Sequence, residues 1–237
     1  MMASATVMQA LDALRQGRFV LVYDADGREE ETDMVIASEH VTSEAIRAMR
    51  RDGGGLICTT ADPRIRQALG LPFLTEVFMG MADQYPVMKG LTPNDIPYDV
   101  KSAFSITINH RRTFTGITDD DRALTVKEFA ELSRRAIAQE DGWGKREFGK
   151  SFRAPGHVHL LNTTDRILET RFGHTELSTA LVIMAGLVPS ATVCEMMGDD
   201  GKALPKSAAR AYAQRNGLVY LEGAEVVGAW KEFQRKG

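Results

Sequence analysis

Cysteine is almost missing from this chain: Cys58 and Cys194 are the only two among 237 residues. With no Cys-x-x-Cys pair, neither a disulfide framework nor a cysteine zinc site is indicated. No stretch approaches the roughly 20 apolar residues that a membrane helix needs. The first fourteen residues hold no Lys or Arg, which argues against a signal peptide. Surplus basic charge is absent as well. The formal net charge is −3, so no overall field draws the chain to nucleic acid or anionic lipid. The densest basic stretch, Lys145, Arg146, Lys150 and Arg153, is interleaved with Glu140, Asp141 and Glu147 and reads as a solvated loop. A cytoplasmic protein with no nucleic-acid and no membrane partner is expected.

The residues that are present suffice for a sizeable core in one domain spanning 1–237. Val7, Leu11 and Leu14 recur at helical spacing and Gly17 closes that segment. Strands are expected at 19–23, 34–37 and 56–59, with a helix between the last two that Thr42 caps and Gly53-Gly54-Gly55 ends. Residues 71–101 differ: Pro72, Pro86, Pro93 and Pro97 break every period, and Asn94-Asp95 is turn chemistry. A connection this long is either a lid, binding loop or interface, or a plain surface excursion. Strands are then expected at 104–108, 157–161, 167–168, 191–195 and 218–221. Thr125 and Glu128 form a capping-box pattern that would open a helix, and 140–156 reads as loop. Helices are expected at 175–185, 206–216 and 223–234. The elements interleave without strict alternation, so the expected fold is α+β, a mixed twisted sheet covered by helices.

Four clusters could carry chemistry. Arg28-Glu-Glu-Glu-Thr-Asp33 packs carboxylates into a short loop, where they repel one another unless a cation or solvent relieves them. It is either a solvated hairpin loop or a cation site. Arg171-Phe172-Gly173-His174-Thr175-Glu176 stands at the start of a helix, where free N–H groups and the macrodipole favour anions. Arg171 adds a charged fork, Gly173 allows close approach, and His174 is either a metal ligand or an N-terminal cap. His157 and His159 share a face in an extended segment, as a metal pair or with only one of them in a site. Glu195, ending an apolar strand, is either partnered or poised as an acid/base. Cys58 either lines the site or packs in the core.

Read in order, the acidic loop, Gly55-Leu-Ile-Cys58, Phe114-Thr-Gly-Ile-Thr118 with Asp121-Arg122, Ala154-Pro-Gly-His157, Gly173-His-Thr-Glu176 and Cys194-Glu-Met-Met-Gly-Asp-Asp-Gly201 resemble 3,4-dihydroxy-2-butanone 4-phosphate synthase of riboflavin biosynthesis. The likeness covers nearly the whole chain, and residues 91–118 look closest to archaeal members.

The resemblance implies a three-layer fold and conversion of D-ribulose 5-phosphate to L-3,4-dihydroxy-2-butanone 4-phosphate and formate. The expected route is a metal-stabilised enediolate, dehydration, skeletal rearrangement and loss of C4. It implies a divalent cation, Mg2+ or Mn2+, on Glu29 and His174. Arg28, Glu29 and Asp33 would contact the sugar, and Arg171, Phe172, Gly173, His174 and Thr175 would hold the phosphate end. Asp33, His157 and Glu195 would be catalytic, with Glu195 also touching substrate. Thr115 would approach the neighbouring subunit's site, which implies a homodimer. The length implies a monofunctional chain, without the cyclohydrolase domain that some members carry. One departure stands out: Glu29-Glu-Glu-Thr-Asp33 replaces a bacterial loop that contains a glycine. That puts the loop's flexibility in question. A silent nucleotide-binding module and a phosphohydrolase built on His157 and His159 are the rival readings.

Overall fold

Ser4 starts the first helix by accepting a hydrogen bond from Val7 N at 3.2 Å, and the Val7, Leu11, Leu14 stripe buries it. In this computed structural model, residues 4–92, 95–139 and 142–235 are described. Pro93 and Asn94 of the expected turn, and Glu140 and Asp141 of the charged stretch, lie outside them. The elements run α1 (Ala5–Arg15), β1 (Val20–Tyr23), β2 (Thr32–Ala37), α2 (Ser43–Ala48), β3 (Cys58–Ala61), α3 (Pro63–Leu69), α4 (Leu74–Gly80), α5 (Val87–Leu91) and β4 (Phe104–His110). The chain continues with α6 (Asp119–Ala136), α7 (Trp143–Ser151), β5 (Phe152–Asn162), α8 (His174–Met184), β6 (Ala191–Glu195), α9 (Lys206–Asn216), β7 (Val219–Glu222) and α10 (Gly223–Gln234).

The described strands form one mixed sheet in the order β4-β5-β3-β6-β2-β1-β7. β1 pairs with β7 and β3 with β5 in parallel, while the other pairings are antiparallel. Side chains alternate across the sheet. Val20, Val22, Val35 and Val193 therefore pack under α1, α8 and α10, whereas Ile36, Ile108, Val158 and Cys194 pack under α2, α3 and α6. α9 covers Leu21 and Met34 on that second face. The result is the three-layer α+β arrangement expected. Among the described residues no helix is long and apolar enough to cross a membrane, and both cysteines are free and buried.

Three local expectations are overturned, and two further segments differ in detail. The helix assigned to a Thr125–Glu128 box begins at Asp119, because Thr118 caps it by accepting from Asp121 N at 3.1 Å. Three aspartates in its first turn complement the macrodipole. Thr125 is instead buried in mid-helix, where its hydroxyl donates to Asp121 O at 2.9 Å and accepts from His110 N at 3.0 Å. The loop assigned to 140–156 contains α7 and the start of β5. Trp143 and Phe148 of α7 pack on the core while its charges face solvent, an amphipathic pattern hidden by the segment's polarity. Ile167 and Leu168 form a buried turn rather than a strand. Leu168 takes φ +57°, and Ile167 O accepts from Trp230 Nε1 at 2.9 Å. The aperiodic stretch 71–101 holds the short helices α4 and α5. β3 also starts two residues late, since Gly55 N and Leu56 N bond to Glu195 instead.

Candidate active site

The acidic loop is built around Asp24, the residue after β1. Its side chain is fully buried. Oδ2 accepts from Glu29 N and Arg28 Nη1, each at 3.0 Å, and Oδ1 accepts from Glu31 N at 3.1 Å. Three hydrogen bonds to one carboxylate fold the loop back on itself and offset the repulsion among its acids. No glycine is needed at Thr32, which already lies extended in β2 opposite Tyr23. Glu30 takes the left-handed conformation, φ +59°, and its carboxylate accepts from Gly27 N at 2.8 Å.

This loop meets the N-terminus of α8. Glu29 Oε2 stands 2.8 Å from Arg28 Nη1 and 3.2 Å from His174 Nδ1. Burial opposes charge on Glu29, but His174 and Arg28 outweigh it and hold the carboxyl down to about 2. On the other side of the imidazole, Nε2 lies 3.6 Å from Asp33 Oδ1. Burial pushes the Asp33 carboxyl well above the usual carboxylate range. His174 Nε2 and Asp33 Oδ1 are both buried and make no hydrogen bond among the described residues. Two such atoms face to face would be costly unless a third group satisfies them.

The acids on the loop side of the same ring fit a divalent cation. Asp24, Glu29 and His174 bring one ligand atom each to within 4.8 Å of one another, and carboxylate oxygens suit a hard cation. Glu29 and His174 have the freer ligand atoms; Asp24 is committed to the loop's own N–H groups.

Beside this centre two guanidinium groups converge. Arg171 gives Nη1 to Glu176 Oε2 at 2.5 Å and Nε to Asp99 Oδ2 at 2.8 Å. Arg28 gives Nη2 to the same Asp99 oxygen at 2.7 Å and lies under the Tyr98 ring. Gly173, the residue before α8, lets both guanidinium groups close in: a Cβ would fall 2.5 Å from Arg28 Nη2 and 3.0 Å from the Arg171 guanidinium, so the arginines would have to shift. The macrodipole of α8 adds positive potential at the same place. The pair is an anion site, and Asp99 fills it.

The opposite wall is Glu195. It ends β6 directly across the ladder from Asp33, and its Oε2 accepts from Leu56 N at 2.7 Å. Gly55 is the second glycine that matters, because a Cβ there would collide with this carboxylate. Cys58 is buried on the same wall, so it both packs in the core and lines the cavity. Burial pushes its thiol up.

One cavity of about 490 Å³ gathers Arg28, Glu29, Asp33, Arg171, His174, Thr175 and Glu195. Gly173 backs onto it. Phe172 does not line it and is 43% exposed. Thr115 and His157 do not line it either. They sit together elsewhere, both within reach of Asn109 Nδ2, at 3.4 Å from Thr115 O and 3.1 Å from His157 Nδ1. His159 turns its ring edge-on to Phe104 at 6.1 Å, and neither histidine joins a three-residue ligand group among the described residues. Sequence reasoning missed Asp24, Asp99, Glu176 and Asn109. Glu176 was within the quoted helix-mouth motif, whereas Asp99 gave no signal, since it lies in a proline-broken stretch.

Comparison with known proteins agrees with this geometry. Residues 8–229 match the family described as 3,4-dihydroxy-2-butanone 4-phosphate synthase. A protein of that name from Methanothermobacter thermautotrophicus is 48% identical over 96% of this chain and 97% of its own length. Another, from Archaeoglobus fulgidus, is 43% identical over 95% and 94%. A solved structure of a synthase of this name, in complex with two magnesium ions, superimposes with TM-score 0.75 at 27% identity, covering 96% of this chain and 97% of that one. The chain belongs to the 3,4-dihydroxy-2-butanone 4-phosphate synthase family.

Proposed function

We propose that this chain, as one catalytic domain, converts D-ribulose 5-phosphate to L-3,4-dihydroxy-2-butanone 4-phosphate and formate, in riboflavin biosynthesis. The observation that carries the reading is the 3.2 Å contact between Glu29 and His174 beside the Arg28–Arg171 pair. A cation site and an anion site thus share one cavity, which suits a phosphosugar.

In this reading Arg28, Arg171 and Thr175 take the phosphate, aided by the start of α8. Glu29 and His174 hold Mg2+, with Mn2+ as the alternative. When bound, the cation polarises the substrate's ketone and offsets charge developing on its oxygen. Glu195 and Asp33 divide the proton work. Burial favours the protonated form of Asp33, which suits it to give a proton, and Glu195 takes the proton beside the ketone. Two carboxyl groups placed in different surroundings are a common arrangement for paired acid and base. The walls of the cavity then exclude water during rearrangement.

A homodimer completes the reading. Thr115 and His157 lie on an exposed stretch with Phe114, which is 94% exposed, and Ile117. Supplied by a partner subunit, that stretch would bring the remaining two residues to the cavity. Free, buried thiols at Cys58 and Cys194 are in keeping with a cytoplasmic location.

The test is formate release from ribulose 5-phosphate by the purified protein with Mg2+, with and without chelator. Glu29→Gln should lose at least about 10²-fold in kcat/KM through loss of the cation. Undiminished turnover in that variant would sink the site assignment.

A further inference from the structure

Outside the cavity, one tightly held polar side chain is Asn109, near the end of β4 and 4% exposed. β4 and β5 shift register between Ile108 and Asn109, and the side-chain amide takes the place of a ladder bond. Its Oδ1 accepts from His157 N at 2.9 Å. Its Nδ2 has two hydrogens and two acceptors in reach, His157 Nδ1 at 3.1 Å and Thr115 O at 3.4 Å. Gly116, at φ +94°, lets the Thr115 turn press against this amide, since any Cβ there would collide with Asn109. Asp121 pins the same turn by accepting from Gly116 N at 2.8 Å.

The partners leave the amide one orientation. Rotated by half a turn, its NH2 would meet the His157 N–H and its oxygen would meet the Thr115 carbonyl, two repulsive pairs in a buried place. With the NH2 fixed toward His157, Nδ1 must accept, and the neutral ring carries its proton on Nε2.

We propose that Asn109 is a positioning residue that locks His157 in the Nε2–H tautomer, so that His157 acts as a hydrogen-bond donor to a substrate oxygen and not as the base. The catalytic half of this inference rests on the function proposed above; the tautomer does not. With Nδ1 engaged, the ring offers the substrate one N–H, at a fixed tilt set by the β4–β5 bulge. Proton removal then falls to a carboxylate of the cavity.

The experiment is nitrogen-15 NMR of histidine-labelled protein, with His157→Gln assigning the His157 signals. Wild type should show a pyrrole-type Nε2 and a pyridine-type Nδ1 at His157; a proton on Nδ1 in wild type overturns the proposal. Asn109→Asp supplies a carboxylate that accepts from both His157 N and Nδ1–H, so it should reverse the tautomer. Formate release should then fall about 10²-fold or more in kcat, with KM within about threefold. A reversed tautomer with undiminished kcat overturns the donor role, and so does full activity in His157→Ala. If Asn109→Asp does not fold, the wild-type spectrum still decides the tautomer. Should wild type release no formate at all, the function falls while the spectrum stands.

Discussion

Arg171 grips Asp99 Oδ2 with one hydrogen bond from Nε at 2.8 Å and an ion-pair contact from Nη2 at 2.7 Å. Arg28 reaches the same oxygen, so one carboxylate of the chain bridges both guanidinium groups of the anion site. A phosphate entering the cavity needs those donors. Asp99 is thus a competitor held in place by the chain itself, within residues 95–103, which have no regular structure.

Asp99→Asn should therefore lower the inhibition constant for inorganic phosphate and KM for the phosphosugar by about three- to tenfold, equivalent to roughly 1 kcal/mol. Steady-state kinetics at low and high salt checks this, since the effect should shrink as salt screens the arginines. A rise in KM would mean that Asp99 binds substrate and does not displace it.

Metal binding should release protons. Burial works against charge on His174, but Asp33, Glu29 and Asp24 override it and lift the imidazole to about 9 in the metal-free chain, Asp33 being ionised only while the ring beside it holds the proton. A cation needs the neutral ring. Apparent affinity for Mg2+ should then climb with pH until about 9 and level off above it. The folded value lies above the unfolded one, near ~6.5. Stability from this charge is therefore complete below the unfolded value and lost as pH rises through about 9. Titration calorimetry in buffers of different ionisation enthalpy reads the proton release directly. Affinity independent of pH across that window would contradict the arrangement.

The proposed dimer makes a sharper demand. If Thr115 and His157 serve the partner's cavity, inactive His157→Ala and His174→Ala proteins should complement when mixed and reassembled. Half the dimers are then mixed, each with one intact site, giving about a quarter of wild-type activity. No recovery despite subunit exchange would place all the residues of a site within one subunit.

A purely structural prediction concerns α6. Thr118→Ala removes the cap on Asp121 N and should cost about 1 kcal/mol in urea denaturation. Thr125→Val tests the overturned box. It should cost at least as much, because it strands the buried His110 N–H that Thr125 Oγ1 accepts.

Sequence made the cavity largely legible because its parts come in short contiguous runs. Arg28 to Asp33 form one turn and Arg171 to Glu176 one helix mouth, each with chemistry visible in six residues. Thr42 was read correctly as a cap. Thr125 was misread because a cap and a mid-helix threonine look alike until Thr118 and the three aspartates after it are weighed together. The 3.2 Å meeting of Glu29 and His174 depends on α8 packing against the sheet beside the loop that enters β2, which no local pattern records. Asp99 and Asn109 were invisible for the same reason. Each acts on residues dozens of positions away, through partners chosen by tertiary packing.

The opposition of Asp33 and Glu195 across two antiparallel strands makes the proposed acid and base hostage to strand parity. Deleting a single residue from β2 would rotate Asp33 through the sheet, into the layer that Met34 and Met196 occupy, and swing a methionine toward the cavity. Insertions or deletions there should be forbidden in odd steps, while the surface turn at Asp26-Gly27, outside the ladder, can vary in length at little cost.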